Sequence, residues 1–138
     1  MGTMSIMTSV KPKKILIIDD SQDDVLIAER VISRLKRGVR TEVARSGEEG
    51  LALLAGEETL PALILLDIKM PGMDGVEVLR RIRGNLRLGD IPVIIVTHSA
   101  LDSDVDACCE AGANAVLHKA FDIDRFGKEI EAVLERWL

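Results

Sequence analysis

Asp19, Asp20, Asp67, Thr97 and Lys119 are the side chains of this sequence whose types, taken together, could do chemistry. Carboxylates held a few ångströms apart repel by about 4 kcal/mol per pair at an effective dielectric near 20, so they must share protons or bind a cation. An oxygen-only set at a solvent-open rim favours Mg²⁺ (Mn²⁺ is the close substitute), which keeps several waters and also takes phosphate oxygens. A carboxylate beside such an ion can attack phosphorus and become an aspartyl phosphate. An ammonium such as Lys119 can offset the phosphoryl charge, and a hydroxyl such as Thr97 can donate a hydrogen bond to it. The combination suits transfer of a phosphoryl group to a side chain.

These residues meet only if the fold brings them together, and the hydrophobic pattern says how. Ile15–Ile18, Leu63–Leu66 and Val93–Val96 are short continuous apolar runs, as expected of strands buried on both faces, and Ala113–Leu117 is a weaker fourth. Val39–Ala44 is interrupted by polar residues and is expected at a sheet edge. Helical stripes alternate with these runs: Val25, Ala28, Ile32 and Leu35; Val78, Leu79 and Ile82; and Ile123, Phe126, Ile130, Val133, Leu134 and Trp137. Pro71–Gly72 supplies a turn, and Asp74 with Glu77 three residues on is a capping box for a helix starting near Gly75. Strands alternating with helices imply parallel pairing through crossovers. The predicted fold is therefore α/β, a doubly wound five-stranded parallel sheet with five helices over residues 14–138, preceded by a flexible segment at 1–13. In such sheets ligands bind beyond the carboxyl ends of the strands. In chain order the first expected strand leads into Asp19–Asp20, the third into Asp67, the fourth into Thr97 and the fifth into Lys119, so all five residues belong to one rim.

Composition narrows the function classes. The 138 residues suit one domain with a real core, 47% hydrophobic and 30% charged. Aromatics are only 2% and the net charge is -5, which argues against a nucleic-acid partner. No apolar run approaches the roughly 20 residues of a membrane span, and no signal-peptide core opens the chain. Cys108 and Cys109 are adjacent, a spacing unsuited to a disulfide, and are expected to pack on a helix in a reducing cytoplasm. His98 and His118 lack the Cys partners of a zinc site.

The segments ILIIDDSQDD, LILLDIKMPGMDG, VIIVTHS and AVLHKAFD resemble, in order and spacing, the response regulator receiver family of two-component signalling, from about Lys14 to Trp137. LLDIKMPGMDG is the most specific of them. The resemblance implies the flavodoxin-like strand order 2-1-3-4-5. It makes Asp67 the phosphoacceptor, Asp20 a direct metal ligand, Asp19 a ligand through water, and the Lys69 backbone carbonyl the protein's remaining contribution to the metal shell. It makes Thr97 the switch hydroxyl and Lys119 the phosphate-contacting lysine. The donor it implies is a histidine kinase or a histidine phosphotransfer protein, and the chain assists its own phosphorylation and dephosphorylation without being an enzyme. With nothing expected beyond the last helix, output is expected through a protein partner, through self-association as a homodimer by way of that helix, or through onward phosphotransfer. The ending DIDRFGKEIEAVLERWL also resembles stand-alone receivers paired with phytochrome-type kinases.

Three positions depart from the family pattern. Val116 stands where an aromatic ring usually reports phosphorylation, Ala120 where a proline usually follows the lysine, and His98 where a small residue usually follows the threonine. His98 is expected to crowd the site and alter its rates. The alternative within the fold is a pseudo-receiver, a binding module that is never phosphorylated; retention of all five residues counts against it. A flavodoxin-like cofactor binder would need a Ser, Thr and Gly loop where this chain has DDSQDD. A phosphatase resembling the haloacid dehalogenase family would carry its nucleophile after the first strand. The plainer readings make Asp19, Asp20, Asp23 and Asp24 caps of the first helix and Lys119 a solvated charge.

Overall fold

The computed structural model describes residues 13–35, 38–56, 59–98, 101–119 and 122–138. Five strands, β1 (Lys13–Ile18), β2 (Val39–Ala44), β3 (Leu63–Leu66), β4 (Val93–Thr97) and β5 (Ala115–His118), form one sheet in the order β2-β1-β3-β4-β5. Every pairing is parallel. Helices α1 (Gln22–Leu35), α2 (Gly47–Gly56), α3 (Gly75–Arg83), α4 (Asp102–Ala111) and α5 (Ile123–Trp137) make the crossovers and the final cover. This is the doubly wound architecture expected from the alternation.

The continuous apolar runs split between two cores because successive strand residues point to opposite faces. Ile15, Ile17, Leu63, Leu65, Ile94 and Val96 pack with Val25, Ala28 and Ile32 of α1 and with Phe126, Ile130 and Leu134 of α5. Leu16, Ile18, Ile64, Leu66, Val93 and Ile95 pack with Leu54 of α2, with Val78, Leu79 and Ile82 of α3, and with Cys108 of α4. β2 lies at an edge as its interrupted pattern predicts, and β5 is the opposite, half-buried edge.

Some boundaries differ from the sequence reading. β5 begins at Ala115 rather than Ala113 because Gly112 and Ala113 finish α4. Gly112 takes φ 101°, and the Ala113 N–H donates to the Cys108 carbonyl, a helix exit that needs the left-handed conformation. Arg83 locks this corner, donating to the carbonyls of Gly112, Gly89 and Ile91 and to Asn114 Oδ1. Ile123 does not join the buried stripe of α5: it is 53% exposed, because the first turn of α5 projects past the core. Cys108 is buried as expected, but Cys109 is exposed on the other side of α4. Ala120, where the family proline would stand, and the segment at 1–12 lie outside the described residues. Lys13, the first residue of β1, donates through Nζ to the backbone carbonyl of Leu138, so the start of β1 and the end of α5 are adjacent.

Candidate functional site

Asp19, Asp67 and Lys119 each sit one step past a strand, where the hydrogen-bond ladder still holds the backbone, Asp20 follows Asp19, and Thr97 is the last residue of its own strand. The Asp19 N–H donates to the Ala44 carbonyl at 3.0 Å, the Asp67 N–H to Ile18 at 3.0 Å and the Lys119 N–H to Thr97 at 2.8 Å. The side chains therefore inherit their places from the sheet rather than from loops. Behind Asp67 the chain turns into α3, whose N-cap is Asp74, accepting from the Glu77 N–H as the capping box predicts. Gly75 makes this turn possible. A Cβ there would lie 2.2 Å from the Asp67 carbonyl oxygen and 2.7 Å from the Ile68 Cα, so only a glycine lets α3 start this close to Asp67.

Carboxylate oxygens of Asp19, Asp20 and Asp67 lie within 4.8 Å of one another. Asp19 and Asp67 are buried and Asp20 is exposed. Lys119 reaches in from the end of β5, 2.6 Å from Asp19 Oδ2 and 3.6 Å from Asp67 Oδ2. Burial pushes the Asp67 carboxyl up to about 6; Lys119 and the Lys69 backbone N–H work against this, while Asp19 and Asp20 reinforce it. Burial also opposes the charge on Lys119, but its hydrogen bonds to Asp19 and Asp24 and the nearby Asp67 outweigh that and hold the ammonium above the ordinary lysine range. One strongly held cation among several carboxylates leaves the site short of positive charge. An all-oxygen trio of this kind, partly open to solvent, suits a hard divalent cation.

Thr97 closes β4 and is fully buried, tied to Lys119 through the backbone. Lys69 lies two residues past Asp67, its N–H directed to the Asp67 carboxylate and its exposed ammonium 3.4 Å from Asp104 of α4. Val116 is half-buried beside the α2–α3–α4 core. His98 is 58% exposed and leans toward α1, with Nε2 3.1 Å from Asp24 Oδ2. His118 is exposed and belongs to a different part of the sheet edge.

Asp24 is the residue that sequence reasoning missed. It is not the helix cap: Ser21 is, accepting the Val25 N–H on its carbonyl and the Asp24 N–H on its hydroxyl. The Asp24 carboxylate instead accepts from Lys119 Nζ at 2.9 Å and lines the same cavity as Asp19, Asp67, His98 and Lys119. Burial opposes its ionisation, but Lys119 and then His98 outweigh burial and draw it below the usual carboxylate range. A signal for this existed: Asp24 falls four residues before Ala28 and seven before Val31, on the buried stripe of α1, where a carboxylate needs a partner.

The comparisons with known proteins agree with this geometry. The family model of the response regulator receiver domain matches residues 15–131, and the chain belongs to that family. Response regulator Rcp1 from Synechocystis sp. is 33% identical over 132 residues, covering 92% of this chain and 90% of that protein. The Mn²⁺-bound form of Rcp1 superposes with a TM-score of 0.83 at 32% identity, covering 92% of this chain and 95% of that one. The phosphorylated cyanobacterial phytochrome response regulator RcpA superposes with a TM-score of 0.85 at 26% identity, covering 91% and 94%. Transcriptional regulatory protein AfsQ1 from Streptomyces coelicolor is 39% identical over 122 residues, 88% of this chain, and this chain spans about half (51%) of its length. The strand order 2-1-3-4-5 and the five-helix arrangement are those of receiver structures. Among the described residues no helix is long and apolar enough to cross a membrane.

Proposed function

We propose that the chain is a phosphorylation-activated switch in which Asp67 takes a phosphoryl group from a phosphohistidine of a kinase or phosphotransfer protein in the cytoplasm. The observation that carries this reading is the convergence of Asp67, Asp19, Asp20 and Lys119 from the ends of three parallel strands into one half-open pocket. An oxygen of Asp67 attacks phosphorus, the new P–O bond forms as the P–N bond breaks, and the leaving imidazole nitrogen keeps the electron pair. A carboxylate whose affinity for protons is raised by burial is also a better nucleophile once ionised, and above about pH 6 it is mostly ionised. Lys119, within 3.6 Å of Asp67, is placed to balance charge on the phosphoryl oxygens, and Thr97 is placed to follow it, because their backbones are linked.

Asp20, Asp19, Asp67 and the Lys69 carbonyl are the groups that would hold Mg²⁺ or Mn²⁺. When bound, the ion would supply the positive charge that the carboxylate cluster lacks. The Mn²⁺-bound Rcp1 supports the metal, and the likeness to regulators named for phytochromes makes a phytochrome-type kinase the first donor to test. The chain turns over only its own side chain, so it assists its phosphorylation without being an enzyme, and its output passes to a protein partner.

Incubation with acetyl phosphate and Mg²⁺, followed by intact mass, tests the proposal. A gain of one phosphoryl group is expected, absent in Asp67→Asn and absent with a chelator. A wild-type chain that gains no mass from acetyl phosphate or from a phosphohistidine donor would leave a binding module that is never phosphorylated.

A further inference from the structure

Lys119 is the cation that the phosphoryl group needs, yet in this structure it is already held by another anion of the same cavity. Asp24 Oδ2 accepts from Lys119 Nζ at 2.9 Å, and the same oxygen lies 3.1 Å from His98 Nε2. An ionised carboxylate has no proton to give, so His98 Nε2 is the donor, and the Lys119 ammonium and the His98 ring share one oxygen. Asp24 belongs to α1, His98 follows β4 and Lys119 follows β5, so the contact ties three elements together at the mouth of the cavity. Asp24 is only partly exposed, with 21% of its side chain accessible, and Lys119 is 6% exposed, so this is not a solvated surface pair.

We propose that Asp24 is a positioning residue for Lys119. It holds the ammonium on the α1 side of the pocket in competition with the phosphoryl group on Asp67, and His98 sets the strength of that hold by occupying the same oxygen. The inference rests on the phosphoacceptor reading of Asp67. It assigns to His98 a role other than steric crowding: the ring is directed at Asp24, and what it regulates is the availability of Lys119.

The two residues then have opposite effects. Asp24→Asn keeps the shape but removes one of the two carboxylates that accept from Lys119, so the ammonium, still held by Asp19, is freer to turn to the phosphoryl group. His98→Ala leaves Asp24 Oδ2 to Lys119 alone, so the ammonium is held back more tightly. His98 acts only through Asp24, so its removal has no effect once Asp24 is neutral.

Beryllofluoride in saturating Mg²⁺, titrated by calorimetry and followed by fluorine NMR, stands in for the phosphoryl group on Asp67. Asp24→Asn is expected to bind it roughly threefold to tenfold more tightly than wild type, and His98→Ala more weakly by a similar factor. The double variant is expected to match Asp24→Asn. The gain in Asp24→Asn is expected to persist in about 1 M salt, where a merely distant charge is screened within roughly 3 Å. Unchanged affinity in Asp24→Asn, a gain that disappears in high salt, or a His98→Ala effect that survives in the double variant would each overturn the inference. His98→Ala alone decides the sign if Asp24→Asn does not fold. Failure of the wild type to bind beryllofluoride would count against the phosphoacceptor reading instead.

Discussion

At the scale of single residues, Asp67 is costly to keep charged. Its carboxyl is raised to about 6 because it is buried beside Asp19 and Asp20 and only partly compensated by Lys119. A group whose folded-state value lies above its unfolded value, near 3.8, binds more protons in the native state between the two. In chelator, stability therefore falls as pH rises from about 4 to about 6, and that loss, on the order of 2–3 kcal/mol, is complete above pH 6. Urea melts of metal-free protein across this range should show the decline in wild type and a flat profile for this contribution in Asp67→Asn, which should be the more stable chain at pH 7. Cys108 is shifted in the same direction: burial, then Cys109, Asp104 and Asp74, push its thiol up to about 11, so the reactive thiolate is rare. Alkylation of the native protein at pH 7.5 should spare Cys108 until the chain is unfolded, as peptide mass mapping would show.

At the scale of elements, the sequence was informative where period and position carry the meaning. Leu63–Leu66 reads as a buried strand from four apolar residues in a row, and Asp67 reads as a site residue because it follows them. Asp74 and Glu77 define the start of α3 three residues apart, and the capping bond is there at 3.0 Å. Asp24 was read as a cap because acidic residues in a first turn usually serve the helix. Its actual partner, Lys119, is 95 positions away, and pairing across that distance is a property of the fold, not of a window. Ile123 misled for the converse reason: helical period assigns a face, but not whether the helix end still overlies the sheet. The close start of α3 gives a sharp test. Gly75→Ala gains helix propensity of about 1 kcal/mol but drives a Cβ into the Asp67 backbone, so a net loss of at least about 2 kcal/mol in urea melts is expected, with weaker metal binding. Asp74→Ala should cost about 1 kcal/mol and leave the acidic trio in place.

At the scale of the whole molecule, fold and charge pull in different directions. Two apolar layers clamp the sheet, while its carboxyl end gathers acids that repel one another. A cation that binds only the folded chain must then stabilise it as a whole. At a hundred times its dissociation constant Mg²⁺ should add about 2.7 kcal/mol, read as a rise of roughly 5–10 °C in the melting temperature by calorimetry. Monovalent salt at equal ionic strength should give much less, and Asp20→Asn with Asp67→Asn together should abolish the divalent effect.

The bond from Lys13 to the Leu138 carbonyl also has a practical consequence. Because the first residue of β1 and Leu138, just past the end of α5, are neighbours, a short Gly/Ser bridge can splice them, and the chain can be reopened at the exposed Leu86 bend after α3. Such a circular permutant would keep every strand of the sheet and its acidic rim while exchanging which crossover is covalent. It should still bind Mg²⁺, and an affinity reporter could be attached at the new ends, far along the chain from each ligand.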